Sequence, residues 1–191
     1  AVGNINTWLG VNTNWYDPSN WCAGIPTPTT DVLIPGSLSF YPVINTGVPT
    51  VRNITIQNTA SVTLNSVKMQ VAGAITNAGA FNATTGAIEL NGTAGAQSIS
   101  GSAFTGKTLA GLIVSNTAGV NVSNAANDTL NIADSLSFGN VNNTMLNTGN
   151  NITLLSRAAK TARVADITNG GINSGNSFGR RIWYTPKICT K

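Results

Sequence analysis

Histidine is absent from this chain of 191 residues, cysteine occurs twice, and aspartate and glutamate together number six. Without histidine the chain lacks the usual general base at neutral pH, the usual partner of a nucleophilic serine and the commonest zinc ligand. Only 8% of the residues are charged, against about a quarter in a typical soluble protein. These shortages exclude most hydrolase chemistry, so we expect no enzyme, no metal site and no cofactor.

Long apolar runs are missing as well, since none approaches the roughly 18 residues of a membrane span, and we expect no membrane insertion. The net charge of +4 reflects a scarcity of acids rather than a basic stripe, so we expect no nucleic-acid binding. The chain opens with Ala1-Val2-Gly3-Asn4, without Met or an apolar leader. This opening fits a mature secreted protein whose signal peptide was removed, although a trimmed chain would look the same.

Uncharged polar and small residues take the place of charge, because Asn (26), Thr (25), Gly (20) and Ser (15) make up 45% of the chain. From Val51 onward, apolar and polar residues alternate with the period of a β-strand. The clearest runs are Ile54–Ile56, Val62–Leu64, Met69–Val71, Ile88–Leu90, Val120–Val122, Leu130–Ile132, Leu136–Phe138 and Ile152–Leu154. Clusters of Asn, Gly, Ala and Thr between them favour turns rather than helices, so the sequence predicts an all-β protein.

The strand pattern also repeats along the chain. Three pairs of segments match, at offsets of 58, 61 and 64 residues: Asn53–Leu64 with Gly111–Val122, Met69–Ile75 with Leu130–Leu136, and Ile88–Leu90 with Ile152–Leu154. A unit of about 60 residues with six to eight strands indicates two or three coils of about 20 to 30 residues each. We therefore predict a right-handed parallel β-solenoid (β-helix); the alternative is a β-sandwich, whose strand spacing is similar.

The pattern divides a single domain into three parts. Residues 1–50 hold most of the aromatic residues and prolines, and we interpret them as an N-terminal cap with the first strands. Residues 51–158 form the solenoid coils. Residues 159–191 form a C-terminal segment with one last strand at Ile182–Thr185.

Several motifs, in a fixed order, resemble β-solenoid modules of secreted, adhesin-like cell-surface proteins of the Bacteroidetes. They are Trp8-Leu9-Gly10, Asn14-Trp15, Pro18-Ser19-Asn20-Trp21, Gly24-Ile25-Pro26, Asp31–Pro35, Tyr41–Ile44, Val51–Ile56, Gly95–Gly101 and Lys160–Val164. The resemblance implies an extracellular, non-catalytic structural or adhesive piece of a longer exported chain. It also implies possible O-glycosylation at Thr129 and Ser135, each of which follows an aspartate and precedes an apolar residue.

Few side chains are candidates for chemistry. Asp128 and Asp134 are six positions apart and are better explained as corner residues than as a catalytic pair, and we expect Glu89 to point outward into solvent. Cys22 and Cys189 can close a disulfide in an oxidising compartment or remain free thiols. The aromatics Trp8, Trp15, Trp21, Trp183 and Tyr184 either stack on glycans or plug the ends of the core.

The sequence thus predicts a rigid extracellular rod on the cell surface, whose partners are other surface proteins, glycans or further copies of itself. If residues 179–191 pair with the N-terminal region of another copy, the head-to-tail contact generates a filament, which deletion of these residues would abolish. The alternative function is a carbohydrate-binding module that uses exposed tryptophan and tyrosine.

Overall fold

The computed structural model describes residues 5–139, 144–157 and 160–165. Of these residues 45% lie in strands and none in an α-helix, and the parallel sheets form a β-solenoid of about seven turns. Every pairing between described strands is parallel except one short hairpin. The prediction of an all-β parallel solenoid is confirmed, and the β-sandwich alternative is wrong because its sheets would be antiparallel.

The strands are short, as alternating runs of three to five residues predict. In chain order they are β1 (Asn6–Thr7), β2 (Asp31–Ile34), β3 (Val43–Ile44), β4 (Thr50–Val51), β5 (Asn53–Ile56), β6 (Ser61–Leu64), β7 (Lys68–Val71), β8 (Ile75–Asn77), β9 (Ala80–Leu90), β10 (Gln97–Ile99), β11 (Thr108–Val114), β12 (Val120–Val122), β13 (Leu130–Phe138), β14 (Leu146–Asn147), β15 (Ile152–Leu154), β16 (Ser156–Arg157), β17 (Lys160–Thr161) and β18 (Arg163–Val164). Three short 3-10 helices span Pro18–Asn20, Gly101–Ala103 and Thr105–Lys107.

Each coil has three faces. On the first face β1, β2, β5 and β8 form one sheet, and β10, β12 and β14 form a second sheet at the same place in later coils. One nine-stranded sheet covers the second and third faces, because the long strands β9, β11 and β13 bend around the corner between them. In β9, for example, Ala80–Asn82 pairs with β6 on the second face and Ala87–Leu90 pairs with β7 on the third.

Apolar columns fill the space between the faces. On the third face Val51, Val71, Leu90 and Val114 stand in register in four successive coils, and each is at most 1% exposed. Burying one such side chain stabilises the fold by about 1.5–3 kcal/mol. The alternation in the sequence therefore marks the side chains that point into this core.

The single coil is the structural repeat. The shortest step between partners in successive coils is from Met69 to Ile88, 19 positions, and the longest is from Leu136 to Val164, 28 positions. The match at an offset of 58 instead relates strands on different faces, since Asn53–Ile56 lies on the first face whereas the matched residues of β11 lie on the third. The self-similarity thus comes from a common inward alternation rather than from equivalent positions.

The coil ladder extends into residues 1–50, where β2, β3 and β4 pair with the strands of the next coil. The 159–191 segment is described only at residues 160–165, which contain β17 and β18. The predicted strand Ile182–Thr185 lies outside the described residues.

A buried glutamine links three coils near the boundary between the two first-face sheets. Gln97 is 6% exposed, and its Nε2 donates to the carbonyls of Val71 (2.9 Å) and Gly73 (2.8 Å). Its Oε1 accepts from Gly92 N (2.7 Å) and Asn116 Nδ2 (3.1 Å). This side chain therefore satisfies polar groups at a corner close to where β8 and β10 do not pair.

Candidate functional site

Three tryptophans close the core at the N-terminal end. Trp8, Trp15 and Trp21 are 0%, 1% and 4% exposed. Trp21 lies edge-on to both neighbours, with ring centroids 5.0 Å from Trp8 and 4.7 Å from Trp15. Its Nε1 donates to the Trp15 carbonyl (2.8 Å), and the Trp8 Nε1 donates to the Phe40 carbonyl (2.9 Å). The cluster fills the end of the first coil with large apolar rings.

Asn20 holds the loop around these rings. The side chain is 0% exposed, and its Oδ1 accepts from the backbone N–H groups of Val11 (2.8 Å) and Asn12 (2.9 Å). Its Nδ2 donates to Asn12 Oδ1 (2.7 Å) and to the Asn14 carbonyl (2.8 Å). All four hydrogen-bonding positions of the amide are therefore used inside the protein.

The same loop covers the free edge of the first strand. We call residues 8–24 the cap. The carbonyl of Thr7 in β1 accepts from Cys22 N (3.1 Å), and Leu9 N donates to the Asn20 carbonyl (2.7 Å). On the second face Val43 N of β3 donates to the carbonyl of Thr13 (3.0 Å). The cap thus occupies backbone groups that would otherwise be open to another strand on two faces.

The burial of Trp8, Trp15 and Trp21 corrects one of the two roles predicted for them. A ring must expose a face to stack on a sugar, and these rings are packed against one another instead. They are core plugs rather than a glycan platform. Trp183 and Tyr184 lie outside the described residues.

Asp31 joins neighbouring coils on the first face. Arg52 binds it through two hydrogen bonds, from Nε to Oδ1 (2.6 Å) and from Nη2 to Oδ2 (2.5 Å), and Asn53 Nδ2 donates to Oδ1 (2.7 Å). These contacts, led by the Arg52 hydrogen bond, hold the pKa of Asp31 below its ordinary value. The carboxylate is thereby committed to a structural contact.

Glu89 performs the same task on the third face. It is 9% exposed, and its carboxylate contacts Lys68 Nζ (2.6 Å), Gln70 Nε2 (2.9 Å) and Ser115 Oγ (2.7 Å), which come from the coils on either side. Burial raises its pKa, but these hydrogen bonds and the Lys68 charge outweigh burial and leave the pKa below its ordinary value. The prediction of a solvated Glu89 is wrong because neighbouring side chains cover this outward position.

Asp128 lies at the corner before β13. Its Oδ2 accepts from Ser100 Oγ (2.7 Å) and its Oδ1 from Ser102 N (2.6 Å), both in the preceding coil. Burial raises its pKa, but hydrogen bonds from Ser123, Ser100 and Ser102 leave it below the ordinary value. Asp134 lies within β13, beyond the second-face segment Leu130–Ile132.

The two predicted O-glycosylation positions lie on and beside β13. Thr129 precedes the strand and Ser135 lies within it, in register with Gly111. Both residues are half-buried. Their modification stays a prediction.

The predicted disulfide joins a described residue to one outside the described part. Cys22 is exposed and forms no disulfide with another described residue, and its Sγ accepts from Thr7 N (3.0 Å). Cys189 lies outside the described residues. Within the described ranges, no three His, Cys, Asp or Glu residues are grouped to hold a metal ion. No helix there is long and apolar enough to cross a membrane.

A shallow polar groove of about 310 Å³ runs along the first face of the later coils. Ser98 of β10, Asn121 of β12 and Asn147 of β14 stand in register along it, and all three are exposed. Ser123, Asn124 and Gly149 line the adjoining corner. The sequence did not single out these residues, because an outward polar residue between two apolar ones is common to every strand and only the register aligns them.

Comparisons with protein-family models, curated proteins and solved structures found no match to this chain. The geometry of the chain therefore carries the functional argument.

Proposed function

We propose that this chain is a rigid, non-catalytic module of an extracellular surface protein, which displays or joins surfaces. The observation that carries the proposal is the use of the carboxylates Asp31, Glu89 and Asp128. Each binds donors from a neighbouring coil and has a lowered pKa, so each stays ionised and engaged at neutral pH. A polysaccharide-cleaving enzyme needs instead a carboxyl group that is free to give or take a proton at the bond it breaks.

The architecture supports a mechanical role. Backbone hydrogen bonds run between successive coils on all three faces, and apolar columns run inside them. Each coil contacts only its neighbours, as in other solenoids, so the length of such a rod is set by its number of coils.

The extracellular, cell-surface setting and the origin in a Bacteroidetes protein are parts of this proposal, supported by the ordered motifs from Trp8 to Val164. On intact cells of the source organism, an antibody against the purified chain should bind, and external protease should abolish the signal. A signal that appears only after lysis would contradict the setting.

Assembly into head-to-tail filaments stays a separate proposal. The cap bears against one form of it, because Cys22, Asn20 and Thr13 already bond the N-terminal edges of β1, the adjoining residue Leu9 and β3. An incoming strand would have to displace the cap before it could extend the ladder.

The proposed function is tested by separating turnover from retention. Beads coated with the purified chain are passed over surfaces coated with polysaccharide or protein, and reducing ends and free amines released from each coat are measured. We expect beads to be retained on at least one coat without release of product. Product release that disappears in Glu89→Gln or Asp128→Asn would show an enzyme, and no retention on any coat would refute the adhesive role.

A further inference from the structure

We propose that the first-face groove of the later coils binds a neutral glycan chain lying along the solenoid axis. This inference names the adhesive face of the rod, and it rests on the proposed function for the surface that carries the glycan. The groove consists of Ser98, Asn121 and Asn147 on successive strands and the adjoining corner residues.

Unused hydrogen-bonding groups converge on this groove. The Ser98 hydroxyl and the amides of Asn121 and Asn124 make no hydrogen bond to another described residue, and Asn147 uses its Oδ1 to accept from Gly149 N (3.2 Å), which leaves its NH₂ group available. An amide offers two donors and an acceptor side by side. Sugar hydroxyls both donate and accept, so they match this mixed set.

The backbone under these groups is fixed. Parallel pairing sets the rungs about 4.8 Å apart along the axis, and Asn151 Nδ2 ties the corner by donating to the carbonyls of Ser123 (2.8 Å) and Ala125 (2.9 Å). Gly149 has φ +55°, and a Cβ there would lie 3.0 Å from the Val122 carbonyl oxygen. A prearranged ladder loses little conformational entropy when a ligand binds.

The lining also limits the ligand. No charged side chain lines the groove, whereas a phosphate or sulfate would call for arginine or lysine and a calcium ion for carboxylates. No aromatic ring lines it either, so recognition depends on hydrogen bonds and the affinity of one module is low. Repeated rungs then favour an extended polymer over a single sugar.

The test is a titration of the full chain with three neutral hexasaccharides, cellohexaose, maltohexaose and mannohexaose, followed by NMR of the backbone and asparagine amides. We expect shifts confined to the groove for at least one probe. The double variant Asn121→Ala/Asn147→Ala should weaken binding about tenfold or more, since it removes two or more hydrogen bonds of about 1 kcal/mol each.

Asn65→Ala is the matched control, because Asn65 is an exposed asparagine that bonds Asn45 (2.7 Å) and lies outside the groove. It should leave binding within about twofold of wild type. No binding to any probe, or binding that the double variant keeps, would overturn the proposal. Solution scattering on the same samples reports the rod itself, so a failed glycan titration with an intact rod rejects the groove and leaves the rod proposal standing.

Discussion

Single buried polar residues decide how the regular coils are closed. Asn20 is the clearest case, because one side chain supplies four hydrogen bonds to a loop that has no strand ladder of its own. The abundance of asparagine in this chain conceals such a residue, since most of the others lie at turns or outward positions. Its importance follows from its burial, which sequence composition does not reveal.

Replacing Asn20 with alanine should destabilise the protein by about 2–4 kcal/mol. The substitution leaves the Val11 and Asn12 N–H groups without their acceptor, and an unsatisfied buried group costs about 1–3 kcal/mol. Equilibrium denaturation by urea measures the change. Asn58→Ala, at an exposed position, is the control and should stay within about 0.5 kcal/mol of wild type. Equal stability of the two variants would contradict the role given to Asn20.

Glu89 makes a prediction about pH. Its pKa is lower in the folded protein than in the unfolded chain, so its contribution to stability is present above the ordinary carboxyl value of about 4 and is lost as the pH falls through the lowered folded value. Glu89→Gln should therefore cost about 1–2 kcal/mol at pH 7 and little at pH 2.

Urea unfolding of wild type and Glu89→Gln between pH 2 and 7 tests this. The neutral, exposed variant Asn121→Ala should follow the wild-type pH dependence in parallel. A constant difference between Glu89→Gln and wild type at all pH values would contradict the linkage. The outward direction of Glu89 could be predicted from alternation, but its burial depends on Lys68, Gln70 and Ser115, which come from other coils.

At the scale of elements, alternation located the strands well because an inward residue at every second position is a local property. The runs at Ile54–Ile56, Met69–Val71 and Val120–Val122 fall within β5, β7 and β12. The face to which each strand belongs was not predictable, since it depends on coil length, and coils here vary from 19 to 28 residues. For this reason the self-match joined strands of different faces.

The corner at Gln97 gives the prediction for this scale. Gln97→Leu keeps a similar volume but leaves the carbonyls of Val71 and Gly73 and the Gly92 N–H without this partner. We expect a loss of about 3–5 kcal/mol, as for other broken buried polar networks. Hydrogen exchange should show the largest loss of protection in the coils that the glutamine joins.

Gln57→Leu is the control, because Gln57 is an exposed glutamine that makes a single bond, to Gly36 N (3.3 Å). Protection factors that change equally throughout the solenoid in Gln97→Leu, or not at all, would contradict a local role at the corner.

The whole molecule is a parallel ladder whose described N-terminal end is closed. Parallel coils present the same strand edges at every level, so what separates a single rod from an endless one is the treatment of its ends. The aromatic, proline-rich composition of the first 50 residues indicated a cap, but the sequence could not show that tryptophans plug the core while Asn20–Gly24 occupies the strand edge.

Opening this end should therefore change how the whole molecule associates. Trp15→Ala removes a ring that is 1% exposed, at a cost of about 3–5 kcal/mol, and should loosen the cap over β1 and β3. Trp15→Phe is the matched control, since the Trp15 Nε1 has no hydrogen-bond partner among the described residues and phenylalanine keeps an aromatic plug.

Light scattering and electron microscopy across a concentration series compare the three proteins. We expect wild type to stay monomeric, Trp15→Phe to resemble it, and Trp15→Ala to associate as concentration rises, because its freed backbone groups can pair with another chain. Filaments of wild type would show that the cap does not prevent extension of the ladder. A Trp15→Ala protein that melts lower but stays monomeric would show that the tryptophans stabilise the first coil without guarding its edge.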